Sequence, residues 1–224
     1  MSNPLPALSL LETRVLGVLV EKQHTVPDSY PLSLNSLTLG CNQKTAREPV
    51  INATEAELLV AADALKSLNL AFESSGSRVS RYEHNLGRTL GLPSQSVALL
   101  AMLLLRGPQT TSELRANTER LHRFADVSSV EGFLDELTSR PEDKGGPLVV
   151  RLPRAAGARE PRWTHLLCGQ VDVSALSVAA DAPDFVAASE LAALKAQQSA
   201  MQRELVELRM RVDKLYAELG VSRE

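Results

Sequence analysis

The stretch Thr54–Glu83, TEAELLVAADALKSLNLAFESSGSRVSRYE, decides the fold. Thr54-Glu-Ala-Glu57 is a capping box: the hydroxyl takes an unpaired backbone N–H and the glutamate three places on reaches back to the cap. Leu58, Ala61, Leu65 and Leu68 follow at helical spacing and turn one apolar face inward. Leu70-Ala-Phe-Glu-Ser74 and Arg78-Val-Ser-Arg-Tyr-Glu83 flank a Ser-Gly-Ser turn and read as two strands of a hairpin. The local unit is therefore a helix that runs straight into a hairpin.

Upstream lie two more helices. Ser9-Leu-Leu-Glu12 is another capping box, followed by Leu11, Val15, Val18 and Leu19 on one face. That helix ends near His24, before Pro27 and Pro31. Ser33–Cys41 reads as a short second helix with Leu34 and Leu37 inward and Gly40 as its stop. The stretch Asn42–Asn52 is irregular. The same order then returns. Pro93-Ser94 opens a helix with Val97, Leu100, Ala101 and Leu104 inward, and Gly107-Pro108 ends it. Thr111–Arg115 begins a short helix, and Arg120–Ala125 forms a connecting turn. Ser128-Ser-Val-Glu131 caps a third helix with Val130, Phe133, Leu134 and Leu137 inward. Leu148–Leu152 and Arg162–Leu167 are the closing strands. A fixed order of caps, helices and hairpins, given twice, is a duplication.

Helix–helix–helix–hairpin is the pattern of a winged helix. The expected fold class is thus mostly α with small β-hairpins (α+β): two tandem winged-helix domains plus a C-terminal amphipathic or coiled-coil helix. The expected boundaries are 1–8 flexible N-terminus, 9–88 first domain, 89–169 second domain, 170–185 linker and 186–220 heptad helix. From Leu191 the apolar residues alternate steps of three and four: Leu191, Leu194, Met201, Leu205, Leu208, Val212, Leu215 and Leu219, with Gln198 the one polar member. In a parallel pair Glu190 faces Lys195 and Glu204 faces Arg209, which suits a homodimer. A single amphipathic helix laid on its own chain satisfies the same pattern.

Composition agrees with this. The 224 residues hold two domains of about 80 residues and an accessory element. Aromatic residues make up only 4%, so little sheet is expected. The longest apolar run, Val97–Leu105, stops at Arg106 and is too short to span a bilayer. The first residues lack a secretion signal, and the two cysteines, Cys41 and Cys168, lie far apart, so a cytoplasmic protein without disulfides is expected. No membrane partner is implied.

Nothing points to catalysis or to a cofactor. The four histidines, at 24, 84, 122 and 165, have no metal-ligand spacing, and no phosphate loop, dinucleotide fingerprint or nucleophile elbow occurs. The expectation is no enzyme, no metal and no cofactor. Nucleic acid is the better fit, through local clusters. Residues 1–88 carry 8 Lys and Arg against 9 Asp and Glu, residues 89–170 carry 10 against 9, and residues 171–224 carry 6 against 9. In a winged helix the third helix enters the major groove and the wing reaches the backbone. The wings supply Arg78 and Arg81, then Arg154, Arg159 and Arg162. The third helices do not comply: Glu55, Glu57 and Asp63 face Lys66, and Glu131, Asp135 and Glu136 face Arg140. Acids there suit the helix dipole and oppose a phosphate backbone. Polar readout falls instead to the stretches before the third helices: Asn42, Gln43, Lys44 and Arg47, then Arg115, Arg120 and Arg123. The same arginines also suit binding to acidic groups of the neighbouring domain.

Three long motifs carry a family resemblance: Val26–Leu37 with Cys41-Asn-Gln-Lys and Arg47-Glu-Pro-Val50, Leu103–Leu114, and Arg159–Leu166. Over about residues 9–169 the chain resembles the YceH-like family of bacterial proteins. The resemblance implies a tandem winged-helix fold, often with a C-terminal heptad segment, in a cytoplasmic protein. It implies no site. The loop from Pro27 to Val50 holds much of the motif, so it is either a functional loop or a structural plug between the domains. The functional expectation is a dimeric protein that binds double-stranded DNA, in the manner of a transcriptional regulator. The alternative is a winged-helix scaffold that binds a protein partner and makes no DNA contact.

Overall fold

A computed structural model describes residues 5–74, 79–154 and 157–171. Arg78, the heptad residues from Leu191 to Leu219 and the expected 186–220 helix lie outside the described residues. Within them the fold is α+β, with seven α-helices and two small antiparallel sheets. No described helix is long and apolar enough to cross a membrane.

In the first half, α1 (Leu10–Thr25) begins at its capping box, where Ser9 Oγ accepts from the Glu12 N–H at 3.2 Å and Glu12 answers on the Ser9 N–H at 2.6 Å. β1 (Leu32–Ser33) leads into α2 (Leu34–Cys41), capped by Ser33. α3 (Glu55–Ser67) starts at the Thr54–Glu57 box and is followed by β2 (Ala71–Ser74) and β3 (Arg81–His84). The sheet order is β1-β3-β2, so β1 is a third strand that two residues of pattern could not announce. A short α4 (Leu86–Leu90) follows, too brief for a periodic signal.

The second half repeats the design. α5 (Ser94–Arg106) ends at Gly107, and α6 (Thr111–Thr118) is capped by a Thr110–Glu113 box. α7 (Val127–Thr138) is capped by Asp126, whose carboxylate accepts from the Ser129 N–H at 2.7 Å. The Ser128–Glu131 box expected from sequence therefore gives way to a stronger acceptor two places earlier. β4 (Val149–Arg151) and β5 (Trp163–His165) form the hairpin. Gln109 bridges Trp163 through both backbone groups, at 3.1 and 2.7 Å, and takes the place that β1 holds in the first half. His84 and His165 end the second hairpin strands and lie opposite the buried Ala71 and Val149.

The halves meet through their first helices. α1 packs on α2, α3 and β3 on one side and on α5 on the other, so every residue from Thr13 to Val20 is buried. α5 is likewise buried from Ser96 to Leu105, not along the single face read from its periodicity. One apolar core runs through both halves, and the described residues fall within one compact unit. The flexible N-terminus also needs correction close to α1. Leu8 is buried and its N–H donates to the Leu167 carbonyl at 2.7 Å, which ties the entry of α1 to the end of the second half.

Two glycines set the helix approaches. Gly40 does not stop α2: the helix continues to Cys41, and a Cβ at Gly40 would lie 2.7 Å from Val18 Cγ1. At Gly17 a Cβ would lie 2.9 Å from Leu105 Cγ and 3.2 Å from Leu104 Cβ. Leu104 Cβ is fixed to the α5 backbone and yields only if the helix moves. Gly17→Val is expected to cost about 1–3 kcal/mol through overpacking. Urea unfolding checks this; an unchanged midpoint would mean that α1 and α5 do not touch there.

Candidate nucleic-acid interface

The first half withdraws most of its candidate side chains from solvent. Asn42 donates from Nδ2 to the Ala53 carbonyl at 2.8 Å and accepts from the Ala53 N–H at 2.9 Å, which clips the two ends of the irregular loop together. Arg47 is only 4% exposed. Its Nη2 donates to Glu21 Oε2 at 2.6 Å and to Gln43 Oε1 at 2.7 Å. Its Nη1 donates to Glu21 Oε1 at 3.1 Å and the Ala46 carbonyl at 2.8 Å, and its Nε to the Gly40 carbonyl at 3.1 Å. Burial alone would raise the Glu21 carboxyl, but hydrogen bonds and charge from Arg47, with Lys22 adding to them, hold it below the usual carboxylate range. Asn42, Gln43 and Arg47 are thus joints of the fold, each with a side chain held by partners in the same half. Lys44 is exposed.

The same loop fastens the halves to each other. The Glu48 N–H donates to the Leu105 carbonyl at the end of α5, at 2.8 Å. Arg14, fully buried, donates to the Cys41 carbonyl at 3.2 Å and to that of Pro49 at 2.6 Å. Sequence reasoning missed Arg14, because an arginine among Leu and Val on an amphipathic helix reads as a solvent-side residue. At the start of β3, Arg81 donates to the Pro31 carbonyl at 2.8 Å and braces the approach to β1.

The second half keeps its cations outside. Arg115 donates to the Ala125 carbonyl at 3.1 Å, closing the α6–α7 turn, and its side chain stays exposed. Arg120 and Arg123 are exposed and have no ion-pair partner among the described residues. Arg154 and Arg159 are exposed on the loop between β4 and β5, and Arg162 is 57% exposed with Glu113 3.8 Å away. Glu160 accepts from Ser112 Oγ at 3.2 Å, which brings this loop to the start of α6.

Two clefts flank α6. One, of about 370 Å³, is lined by Arg115, Glu119, Arg123, Phe124 and Val127, between α6 and the start of α7. The other, of about 440 Å³, lies at the junction of the halves and is lined by Ala46, Glu48, Arg106, Asn117 and Arg162 among others. Arg106 is a cation the sequence reading overlooked: it is half-buried and unpaired among the described residues.

The third helices remain acidic in three dimensions. α7 exposes Glu131, Asp135 and Glu136, while Arg140 turns back to the Leu90 carbonyl. α3 exposes Glu55, Glu57 and Asp63, and Lys66 pairs with Asp63 at 2.9 Å and with Glu73.

The comparisons with known proteins agree on kinship. A family model described as "Protein of unknown function, DUF480" matches residues 8–158. A UPF0502 protein of Leptothrix cholodnii is 62% identical over 218 residues, 96% of each chain. One from Methylibium petroleiphilum is 65% identical over 218 residues, 97% of this chain and 92% of its own. One from Paraburkholderia phytofirmans is 62% identical over 215 residues, 96% and 90%. The resemblance drawn from the three motifs is borne out, and the chain belongs to the bacterial DUF480 family of UPF0502 proteins.

Proposed function

We propose that this chain is a cytoplasmic tandem winged-helix protein that grips the backbone of duplex DNA through its second half, around α6. The repeated order of three helices and a hairpin supports the fold, with the Gln109 bridge matching β1. The observation that carries the function is the set of exposed arginines at 115, 120, 123, 159 and 162, of which only Arg162 has an ion-pair partner among the described residues, Glu113 at 3.8 Å. Arginines of this kind supply phosphate contacts, and phosphate contacts supply most sequence-independent affinity. Acidic third helices argue against base reading in the major groove, so the binding is directed at shape and charge. The heptad pattern of residues 186–220 supports a homodimer as the acting species.

Fluorescence anisotropy with a labelled duplex across a salt series tests this. The wild type is expected to bind at low salt, with affinity falling linearly in log–log form as salt rises. Arg115→Glu, Arg120→Glu and Arg123→Glu together are expected to flatten that slope by about 0.9 for each phosphate no longer neutralised, equally for unrelated sequences. Absence of binding by micromolar wild-type protein at low salt would end the proposal.

A further inference from the structure

Along α3 the exposed residues Ala56, Leu59, Val60 and Asp63 recur at steps of three, one and three, so they form a single outward stripe. Leu59 is 37% exposed and Val60 is 70% exposed. Beside them, α2 and its C-cap carry Asn35, Leu39 and Asn42 at steps of four and three. Asn35 donates to Glu55 at 3.2 Å and Asn42 clips Ala53, so both ends of that row touch the beginning of α3. Leu39, between them, is 67% exposed. The two packed helices thus share an exposed face that carries Leu39, Leu59 and Val60.

On α3 three exposed carboxylates lie beside these residues: Glu55, Glu57 and Asp63. The one cation of α3, Lys66, is already shared between Asp63 and Glu73. An apolar face flanked by carboxylates repels a phosphate backbone, and it also repels a second copy of itself. It complements a segment that is apolar on one side and cationic at the edges. A face made by two packed helices accepts a third helix by fitting ridges into grooves.

We infer that the α2–α3 face of the first half is a docking site for a basic amphipathic helix of a protein partner. This goes beyond the DNA contact proposed for α6 and does not depend on it. Leu39, Leu59 and Val60 supply the apolar contact, and the three carboxylates select lysine or arginine at the partner's flanks.

Isotope-labelled full-length protein, titrated with a short amphipathic peptide of leucines flanked by lysines, tests the site by amide shifts. Saturating shifts at Leu39 and from Ala56 to Asp63 are expected, with no saturable response to the same peptide flanked by glutamates. Val60→Lys removes apolar contact and adds repulsion at an exposed position, so it is expected to weaken peptide binding about tenfold or more while leaving thermal unfolding unchanged. The inference is overturned by the absence of saturating shifts, by equal binding of the glutamate peptide, or by peptide shifts confined to α6. Shifts of the α3 amides by duplex DNA, or by raising the concentration of the protein alone, overturn it too. Loss of DNA binding at α6 would leave the peptide result standing, so the two proposals fail separately.

Discussion

Replacing Arg47 with alanine is expected to destabilise the protein by about 3–5 kcal/mol, the usual cost of removing one member of a buried ion pair. The guanidinium is 4% exposed and makes five hydrogen bonds: two to Glu21, one to Gln43 and two to the carbonyls of Gly40 and Ala46. Alanine leaves all of those acceptors behind. Glu21 retains Lys22 at 3.2 Å, a less buried and weaker partner. The double variant Arg47→Met with Glu21→Leu removes both charges and is expected to recover part of the loss. It cannot recover all of it, since each abandoned carbonyl still costs about 1–3 kcal/mol if no water reaches it. Denaturant unfolding of the two single variants and the double yields the coupling directly. This also separates the two readings that the sequence allowed for the loop. A phosphate-gripping Arg47 would change the salt dependence of DNA binding at little cost in stability; a joint does the reverse. Stability of the Arg47→Ala variant within 1 kcal/mol of wild type (about RT ln 5) would refute the structural role.

Elements bounded by a cap and a periodic apolar row were legible in the sequence, because both signals are local. The boxes at Ser9 and Thr54 start their helices as read, and Leu58, Ala61 and Leu65 are buried as expected. The misreadings share a physical origin in contacts between residues distant in sequence. Gly40 reads as a helix stop until Val18 of α1 is placed against it. The inward face of α5 reads as one stripe until α1 covers the opposite side. Arg47 and Asn42 read as polar groups available for recognition until Glu21 and Ala53 meet them. Their residue types suit both roles, and only the burial of the loop between the halves decides. On the second half Arg120, Arg123 and Arg159 are exposed, on the turn after α6 and the loop between β4 and β5. Leu39, Leu59 and Val60 lay beyond sequence reasoning altogether, since exposed apolar residues on a helix look the same as core.

Stability is expected to fall as the solution is acidified from about pH 6.5 to about pH 4, and the two hairpin histidines carry the effect. His84 and His165 hold the same place in the two halves, each the last residue of its second strand. Burial pushes both rings down to about 4, and at His84 the nearby His24 charge adds to it. Each ring has a buried Nδ1 without a hydrogen-bond partner, so protonation would place an unpaired donor in the core. The direction follows from linkage. Folded rings stay neutral down to about pH 4, while unfolded rings take up protons from about pH 6.5. Their contribution is therefore complete above pH 6.5 and declines steadily as the pH drops to 4. A downward displacement of that size corresponds to about 3 kcal/mol per histidine, and solvent screening of half-buried rings reduces it to about 2. Glu21 acts in a lower window. Its carboxyl is held down by Arg47, so its contribution is lost only as the pH falls below the ordinary carboxylate range. The joint variant His84→Gln and His165→Gln is expected to flatten the stability profile between pH 6.5 and 4 and to leave the steep loss below it. Denaturant midpoints measured across that range decide the matter: a profile that keeps its slope in the double variant assigns the acid sensitivity to other groups.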